Sequence, residues 1–306
     1  MHFKKTAIIL VNWNSFDYTR ECILSLQQIP VKDFDIIVVD NGSEDRSGTS
    51  LKENFPDIIL IESETNLGFT GGNNLGLTYS LSQSYIYSIL LNNDTVVEPG
   101  FLKTLTDYMD AHPETGAIQP KIYYYHNRSL LWDGGSYFNR VLGIAYTSGH
   151  GKVPAEKHNR TRQVDWITGC AFLTRNDILK QTGLLPANFF IYYEDVDLSF
   201  RIKKLGYSLI YQPEAVIYHI AGVSNKKKTR GKEGFVNPIV HYLNIRNRIW
   251  LLKKHTPLIF APTVTLYTFF YTLMVMGYFA ARFRFQKLKA TVKAVKDGVT
   301  GSIQYN

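Results

Sequence analysis

Four runs dense in isoleucine, valine and leucine punctuate the start of the chain, at 6–13, 34–40, 57–62 and 85–91. They show little of the polar alternation of a half-buried strand, which suits strands covered on both faces of a parallel sheet. The stretches between them, 17–28, 43–54 and 72–82, are each long enough for a crossover helix. Strand, helix, strand repeated three times predicts a right-handed βαβ sheet, an α/β fold with helices on both faces. At 306 residues one or two domains fit, and 45% apolar with 20% charged residues describes a globular chain, not a disordered one.

After Glu98 the spacing of Phe101, Leu102, Leu105, Tyr108 and Met109 predicts a helix, with Pro99 in its first turn. Residues 117–175 are short strand-like runs broken by glycines, which predicts a mixed extension of the sheet with a mobile, acceptor-facing loop around 146–162. Residues 195–205 read as a helix stopped by Gly206, and 207–220 return to strand. Cys22 and Cys170, the only cysteines, lie among apolar neighbours, so no disulfide and a reduced compartment are expected. The opening MHFKKTAIIL loosely mimics a signal peptide, yet no small-residue cleavage site follows, so it reads as a first strand and the soluble part as cytoplasmic.

The formal charge of +8 is uneven: KKKTRGK at 226–232 holds five cations, and more follow Arg282. Such tracts suit phosphates, nucleic acid or an anionic membrane surface. No charged residue falls within 256–281, and TVTLYTFFYTLMVMGYFAA at 263–281 is long enough to cross a bilayer. Basic residues flank both ends, against the positive-inside tendency for a single crossing, so an interfacial or re-entrant helical hairpin is expected. A span, and a buried core or dimer helix, are the alternatives.

Ligands of open α/β sheets collect at the carboxyl ends of the strands. There stand Asn12-Trp13-Asn14, Asp40-Asn41-Gly42 and Asn92-Asn93-Asp94, a polar rim. Asp40 suits a nucleoside base or ribose, or else a turn or helix-cap acid before Ser43. NWNSFD after the first strand carries no G-x-G-x-x-G, which disfavours a Rossmann NAD site, and the lack of G-x-x-x-x-G-K-[ST] excludes a P-loop. The glycines of NLGFTGGNNLG, 66–76, either let backbone approach a ligand at a helix start or mark a plain loop. Asp94 offers an oxygen to a hard cation, which takes one or two carboxylates and fills its shell with phosphate and water; a turn is the alternative. NFFIYYEDVDLSFRIKKLGY, 188–207, delivers Glu194 and Asp195 to a helix start after five large apolar side chains. Acids there can merely complement the helix dipole, or an ionised Asp can take a proton from an attacking sugar hydroxyl, with helix amides expected to keep its pKa low. His219 is a packed structural residue or a third metal contact.

In order, TAIILVNWN, VVDNGSEDRS, NLGFTGGNNLGL, LLNNDTVVEPGFL, WITGCAFLTRNDILKQTGLLPANFFIYYEDVDLSFRIKKLGY and a following histidine resemble family 2 glycosyltransferases of the GT-A fold, over about residues 5–220. Bacterial rhamnosyltransferase-like members are the most similar in these motifs, and galactofuranosyltransferases share them. The resemblance implies a Rossmann-like, mainly parallel mixed sheet in residues 1–222, with a nucleotide-binding half at about 1–98 and an acceptor-binding half at 99–222. A basic loop and membrane-associating helices would fill 223–306. It implies inverting, metal-dependent transfer, with rhamnose from dTDP-rhamnose the first expectation, to a lipid-linked or growing cell-surface glycan at the cytoplasmic face of the membrane.

In the resemblance Asp195 is the base with Glu194 beside it, and Asp94 and His219 hold Mg²⁺ or Mn²⁺. Asn92-Asn93-Asp94 stands where the family has Asp-x-Asp, and two amides for acids leave the metal less charge. Donor contacts fall to Val11, Asn12, Asn14, Asp40, Asn41, Asn66, Gly71, Asn73, Asn92 and Asn93. Sugar or acceptor contacts fall to Trp132, Asp133, Trp166 and Gly169. The tract 226–232 touches the donor diphosphate, a lipid diphosphate or the membrane, or is a solvated loop; no nucleic-acid partner is implied, and a homo-oligomer stays open. The rivals are a hexosyl- or galactofuranosyltransferase using a UDP-sugar, a nucleotidyltransferase, which would need a basic Gly-rich loop after the first strand, and a non-catalytic membrane scaffold. Intact Asp94, Asp195 and His219 argue against the last.

Overall fold

In the computed structural model, which describes residues 5–221, 226–231 and 233–305, the four apolar runs form β1 (Thr6–Asn12), β2 (Phe34–Asn41), β3 (Ile59–Ser63) and β4 (Tyr87–Leu91). They are joined by α1 (Phe16–Leu26), α2 (Ser47–Asn54) and α3 (Gly68–Ser82). β1 pairs in parallel with both β2 and β4, and β2 with β3. Ile8 and Leu10 enter the core on one face of the sheet and Ala7 and Ile9 the core on the other. Burial on both faces is why these strands show no alternation.

The chain continues through β5 (Thr95–Val97), α4 (Phe101–Ala111), β6 (Thr115–Tyr124), β7 (Leu131–Asp133), β8 (Ser136–Asn139), β9 (Ile144–Thr147), β10 (Arg162–Gln163), β11 (Ala171–Arg175), α5 (Asn176–Thr182), α6 (Glu194–Lys204) and β12 (Ser208–His219). The main sheet runs β10-β12-β6-β11-β4-β1-β2-β3, with β5 on β12 and β7 on β6. β11 is antiparallel to β4 and β6, while β6 and β12 are parallel. The mixed extension expected from the glycine-broken middle of the chain thus reverses β11 at the sheet's centre, with β5, β7 and β10 antiparallel beyond it.

Three expected boundaries move. α4 begins at Phe101, so Pro99 lies ahead of the helix, because residues 95–97 pair with β12 first. α2 begins at Ser47: Ser43 does not cap a helix, since its hydroxyl takes the Asn14 amide and donates to Asp40. α3 begins at Gly68, four residues early, so Gly68 (φ 72°) stands at the helix start that one reading of this run expects, while Gly71, Gly72 and Gly76 lie within the helix. A Cβ at Gly72 would lie 2.8 Å from Val11 Cγ1, and one at Gly76 2.5 Å from Ile9 Cγ2. These two glycines let α3 press onto β1. Cys22 and Cys170 are free and buried, and burial pushes the Cys22 thiol up to about 12.

Beyond β12 come the hairpin β13 (Lys226–Gly231) and β14 (Gly234–Val236), then α7 (Pro238–His255), α8 (Ala261–Ala281) and α9 (Phe285–Thr300). The side chains of 226–232 and the first four residues, on which the basic-tract and signal-like readings rest, lie outside the described residues. α8 is unbroken and about 31 Å long at 1.5 Å per residue. Residues Leu258–Ala281 have a mean hydropathy of 1.6, with 11% of the most apolar window buried. The start of α8 nevertheless touches the sheet-bearing part of the chain, and the rest of it touches α7. Thr263 Oγ1 donates to Val141 O at 2.7 Å, Arg248 Nη1 to Thr268 Oγ1 at 3.2 Å, and the Phe279 ring meets His241 at 4.9 Å. α8 therefore lies antiparallel along α7.

The α3–β1 contact makes a test. Gly→Ala gains about 1 kcal/mol of helix propensity, whereas overpacking costs about 1–3 kcal/mol. Gly76→Ala is therefore expected to lower the denaturant midpoint in equilibrium unfolding, and a raised midpoint would mean that α3 does not press on Ile9.

Candidate active site

β1, β2 and β4 end side by side, and a cleft of about 380 Å³ opens there. Val11 and Trp13 line it from β1, Asn41 from β2, and Asn66, Phe69 and Asn73 from the start of α3. Asn92, Asn93 and Asp94 line it from the end of β4, with His219 and Trp132 opposite and Phe190, Ile191 and Tyr192 closing one side.

The β5–β12 register sets Thr95 against His219 and so brings Asp94 beside the imidazole. His219 Nε2 lies 3.1 Å from Asp94 Oδ1 and 3.3 Å from Asn92 Nδ2. The Trp132 ring meets the imidazole edge-on, centroids 4.5 Å apart. His219 Nδ1 is buried without a partner among the described residues, so packing and not a second hydrogen bond orients the ring. One carboxylate oxygen and one imidazole nitrogen at the wall of a polar cleft fit a hard divalent cation that draws its remaining ligands from a diphosphate and water. No group of three or more metal-binding side chains occurs among the described residues. The protein thus offers half a coordination shell at most.

Behind this wall a hydrogen-bond chain ties the rim together. Asn93 Nδ2 donates to Thr19 Oγ1 at 2.7 Å, and Thr19 donates to Asn12 Oδ1 at 2.8 Å. Asn12 Nδ2 donates to Asp40 Oδ1 at 2.9 Å and Ser47 Oγ at 2.7 Å. Asp40 accepts from side chains and from no α2 amide, so it is not a helix cap. Asn41 Nδ2 donates to Asn66 Oδ1 and Gly68 O, each at 3.1 Å, holding the start of α3 against the end of β2.

Glu194 and Asp195 open α6. Phe190, Tyr192 and Tyr193, which lead into it, have φ of 66°, 78° and 71°, a left-handed conformation that bulky side chains rarely adopt. Asn247 of α7 holds the turn in place: its Nδ2 donates to the carbonyls of Phe189, Ile191 and Tyr192 at 2.9, 2.9 and 3.0 Å. Asp195 Oδ2 accepts from the Gly169 amide at 2.9 Å and Oδ1 from the Val196 amide at 2.8 Å. A Cβ at Gly169 would lie 3.5 Å from that Oδ2 and 3.1 Å from the Phe69 ring, so the carboxylate adjoins the cleft wall.

Desolvation pushes the Asp195 pKa up, against the pull of those amides. This reverses the expected depression: the site withdraws water faster than two N–H groups replace it. Glu194 is buried, with Oε2 unpartnered among the described residues, and burial followed by the Asp195 charge raises it well above the usual range. Burial thus shifts both carboxyls upward, Glu194 further than Asp195, which keeps two amide donors.

The structure gathers Val11, Asn41, Asn66, Asn73, Asn92, Asn93, Asp94, Trp132 and His219 around the cleft. It does not bring the others to its surface. Asn12 and Asp133 are fully buried, Asp133 held by the Gly135 amide and Ser136 hydroxyl with its pKa raised by burial to about 6. Trp166 packs against Val196 and Leu251 and donates to Tyr137 O. Gly71 is helical, with Leu67 Cβ 2.5 Å from where its own would sit. Asn14 faces away, its Oδ1 taking the Glu44 amide. Asp40 sits behind the rim, and Gly169 acts through its amide. Phe69, Phe190 and Tyr192 were not singled out from the sequence, although the aromatic run before Glu194 pointed to the last two.

Comparison with known proteins agrees with this arrangement. The family description Glycosyl transferase family 2 matches residues 7–183. The N-acetylglucosaminyl-diphospho-decaprenol L-rhamnosyltransferase of Mycobacterium tuberculosis is 25% identical over 81% of this chain and 84% of its own. The dTDP-rhamnosyl transferase RfbF of Shigella flexneri is 22% identical over 89% of each. Among solved structures, GalNAc-T7 with UDP, GalNAc and Mn²⁺ superposes with a TM-score of 0.63 at 13% identity, over 81% of this chain and 47% of that one. The mannosyltransferase PcManGT of Pyrobaculum calidifontis with GDP-Man and Mn²⁺ gives 0.55 at 14% identity, over 98% and 76%. With the family match spanning more than half of the chain, and with this sheet and cleft, the protein belongs to glycosyl transferase family 2 and is a glycosyltransferase.

Proposed function

We propose that the protein transfers a sugar with inversion from a nucleotide-diphosphate donor to a lipid-linked or growing cell-surface glycan, with rhamnose from dTDP-rhamnose the first donor to try. The observation that carries this is the placement of two functions at one cleft. Asp94 and His219 form a cation-ready wall, and Asp195, which does not itself line the cleft, lies behind its Phe69 side across Gly169. The rhamnosyltransferases at 22–25% identity support the donor. The C-terminal half of the assignment is that 223–306 serves a membrane, with the exposed face of α8 in the interface and the catalytic residues 1–222 on its cytoplasmic side. The antiparallel packing of α8 along α7, with its start bonded to Val141, and basic residues at both flanks support an interfacial helix over a span.

Chemically, Val11, Trp13 and Asn41 would flank the nucleoside, with Asp40 holding Asn12 and Ser43 behind them, and the amides of Asn92 and Asn93 would meet the diphosphate. When bound at Asp94 and His219, Mg²⁺ or Mn²⁺ supplies charge to offset the leaving diphosphate. Asp195 takes the proton of the acceptor hydroxyl as its oxygen attacks the anomeric carbon from the face opposite the nucleotide. That single displacement inverts the centre. Glu194, raised further by burial, leaves Asp195 as the carboxyl that ionises first, and Gly169 aims it.

A general base contributes about 10²–10⁴-fold, so Asp195→Asn is expected to lower kcat by that range with the fold intact. Because the Asp195 pKa is raised, the ionised base is lost as pH falls through it. Wild-type kcat should show an acidic limb above the usual carboxylate range, and the residual activity of Asp195→Asn should lack it. Undiminished transfer by that variant removes Asp195 from the base's role.

A panel of dTDP-rhamnose, UDP-hexoses and UDP-galactofuranose with membrane lipid extract tests donor and metal together. Chelation should abolish transfer, Mg²⁺ or Mn²⁺ should restore it, and Asp94→Ala should raise the metal concentration needed by at least about tenfold, as loss of a ligand or its support does. Preference for a UDP-sugar would replace rhamnose with a hexosyl or galactofuranosyl reading, and no transfer from any donor would leave the scaffold reading.

A further inference from the structure

A second cavity, a groove of about 640 Å³, runs between α7 and α8 and reaches Tyr193. Tyr192 lines the donor cleft and Tyr193 lines this groove, so one strained turn separates the two. Near Tyr193 stand Arg248 and Tyr271; at the far end Arg284 and Lys287 enter from the start of α9. Between them the wall is apolar, from Val275 and Phe279, and it merges with the outward face of α8, where Met274 is 65% exposed.

The charge in this groove is unbalanced. None of the ion pairs among the described residues involves Arg248, Arg284 or Lys287. Arg248 is buried, and its guanidinium meets only the Thr268 hydroxyl, the carbonyls of Leu142 and Gly143, and tyrosine rings. The nearby acid, Glu233, is occupied by the Gln286 and Lys287 backbone amides at 3.2 and 3.3 Å. Lys287 is buried too, and desolvation followed by Arg284 lowers its pKa while Glu233 opposes. His241, whose Nε2 is buried without a partner among the described residues, is pushed down to about 4 by burial and the same two cations. Buried cations short of acids are costly to a folded chain; one carboxylate, Glu233, faces this end, and an anion entering the groove would relieve the remaining cost.

We propose that this groove is the acceptor's lipid site: it binds a polyisoprenyl-type lipid through its phosphate or diphosphate head, with Arg284 and Lys287 on the head and the tail leaving over the exposed face of α8. The sugar carried by the head then points along the groove toward Tyr193 and, past that turn, to Asp195. This rests on the reading of a lipid-linked acceptor and adds where the lipid is held. The complementarity is twofold, anion to cations and hydrocarbon to an apolar wall continuous with the membrane-facing helix.

Calorimetry on the full chain in nonionic detergent with EDTA tests it, with geranylgeranyl diphosphate as probe and geranylgeraniol and inorganic pyrophosphate as comparators. EDTA and the lack of donor keep the Asp94 wall out of the measurement. The diphosphate lipid is expected to bind at least tenfold tighter than either comparator. Arg284→Ala, at a half-buried position, should weaken it at least tenfold, and Val275→Trp, which narrows the apolar wall, should weaken both lipids while melting at the wild-type temperature. Equal binding of the alcohol, equal binding of pyrophosphate, or an unchanged Arg284→Ala overturns the proposal. Lipid binding without any sugar transfer would instead remove the enzymatic reading and leave this one standing.

Discussion

Asn12 is the point on which the site hangs. It terminates the central strand, is fully buried, and its one amide joins α1 through Thr19, β2 through Asp40 and α2 through Ser47. Leaving any of these buried polar groups unpaired costs about 1–3 kcal/mol, so the rim is held as a unit. Asn93 enters the same chain through Thr19, which links the end of β4 to the end of β1 without Asn93 and Asn12 touching.

The acid pair depends on a different constraint. Three aromatic residues in left-handed backbone each cost about 1–3 kcal/mol. Asn247 of α7 helps to hold them by donating to the carbonyls of Phe189, Ile191 and Tyr192, and the Thr70 amide donates to Phe190 O. The turn puts Phe190 and Tyr192 in the cleft wall, lets Glu194 enter the protein interior, and leaves Asp195 facing Gly169. The strain is therefore tied to the site it shapes.

What the sequence makes legible follows from this division. The parallel strands are readable because burial on both faces writes uninterrupted Ile and Val runs, and Asp94, Asp195 and His219 are readable because each ends a strand or opens a helix within an ordered set of motifs. The glycines inside α3 mislead, since a close helix–strand approach and a ligand loop demand the same residue. Asp133 and Trp166 look like site residues by neighbourhood, but the direction of a side chain from a short strand is set by pairing partners far along the chain. The raised pKa of Asp195 is likewise invisible, because desolvation belongs to the assembled walls, whereas the helix amides that would lower it can be counted locally.

The change in composition near residue 222 marks a chemical boundary, and the side-chain bonds run across it. Asp197, two residues past Asp195 on α6, is fully buried. Burial alone would raise its pKa, yet hydrogen bonds from His255, Arg201 and Tyr305 outweigh burial and hold the carboxylate low. Two of those partners lie at the end of α7 and near the chain's end. A buried carboxylate stripped of its partners costs about 3–5 kcal/mol, comparable with much of a domain's net stability. α6 is thus fixed in place by residues beyond 222. The same C-terminal segment that presents an apolar helix face outward holds the helix that opens with Glu194 and Asp195, so one packing sets both.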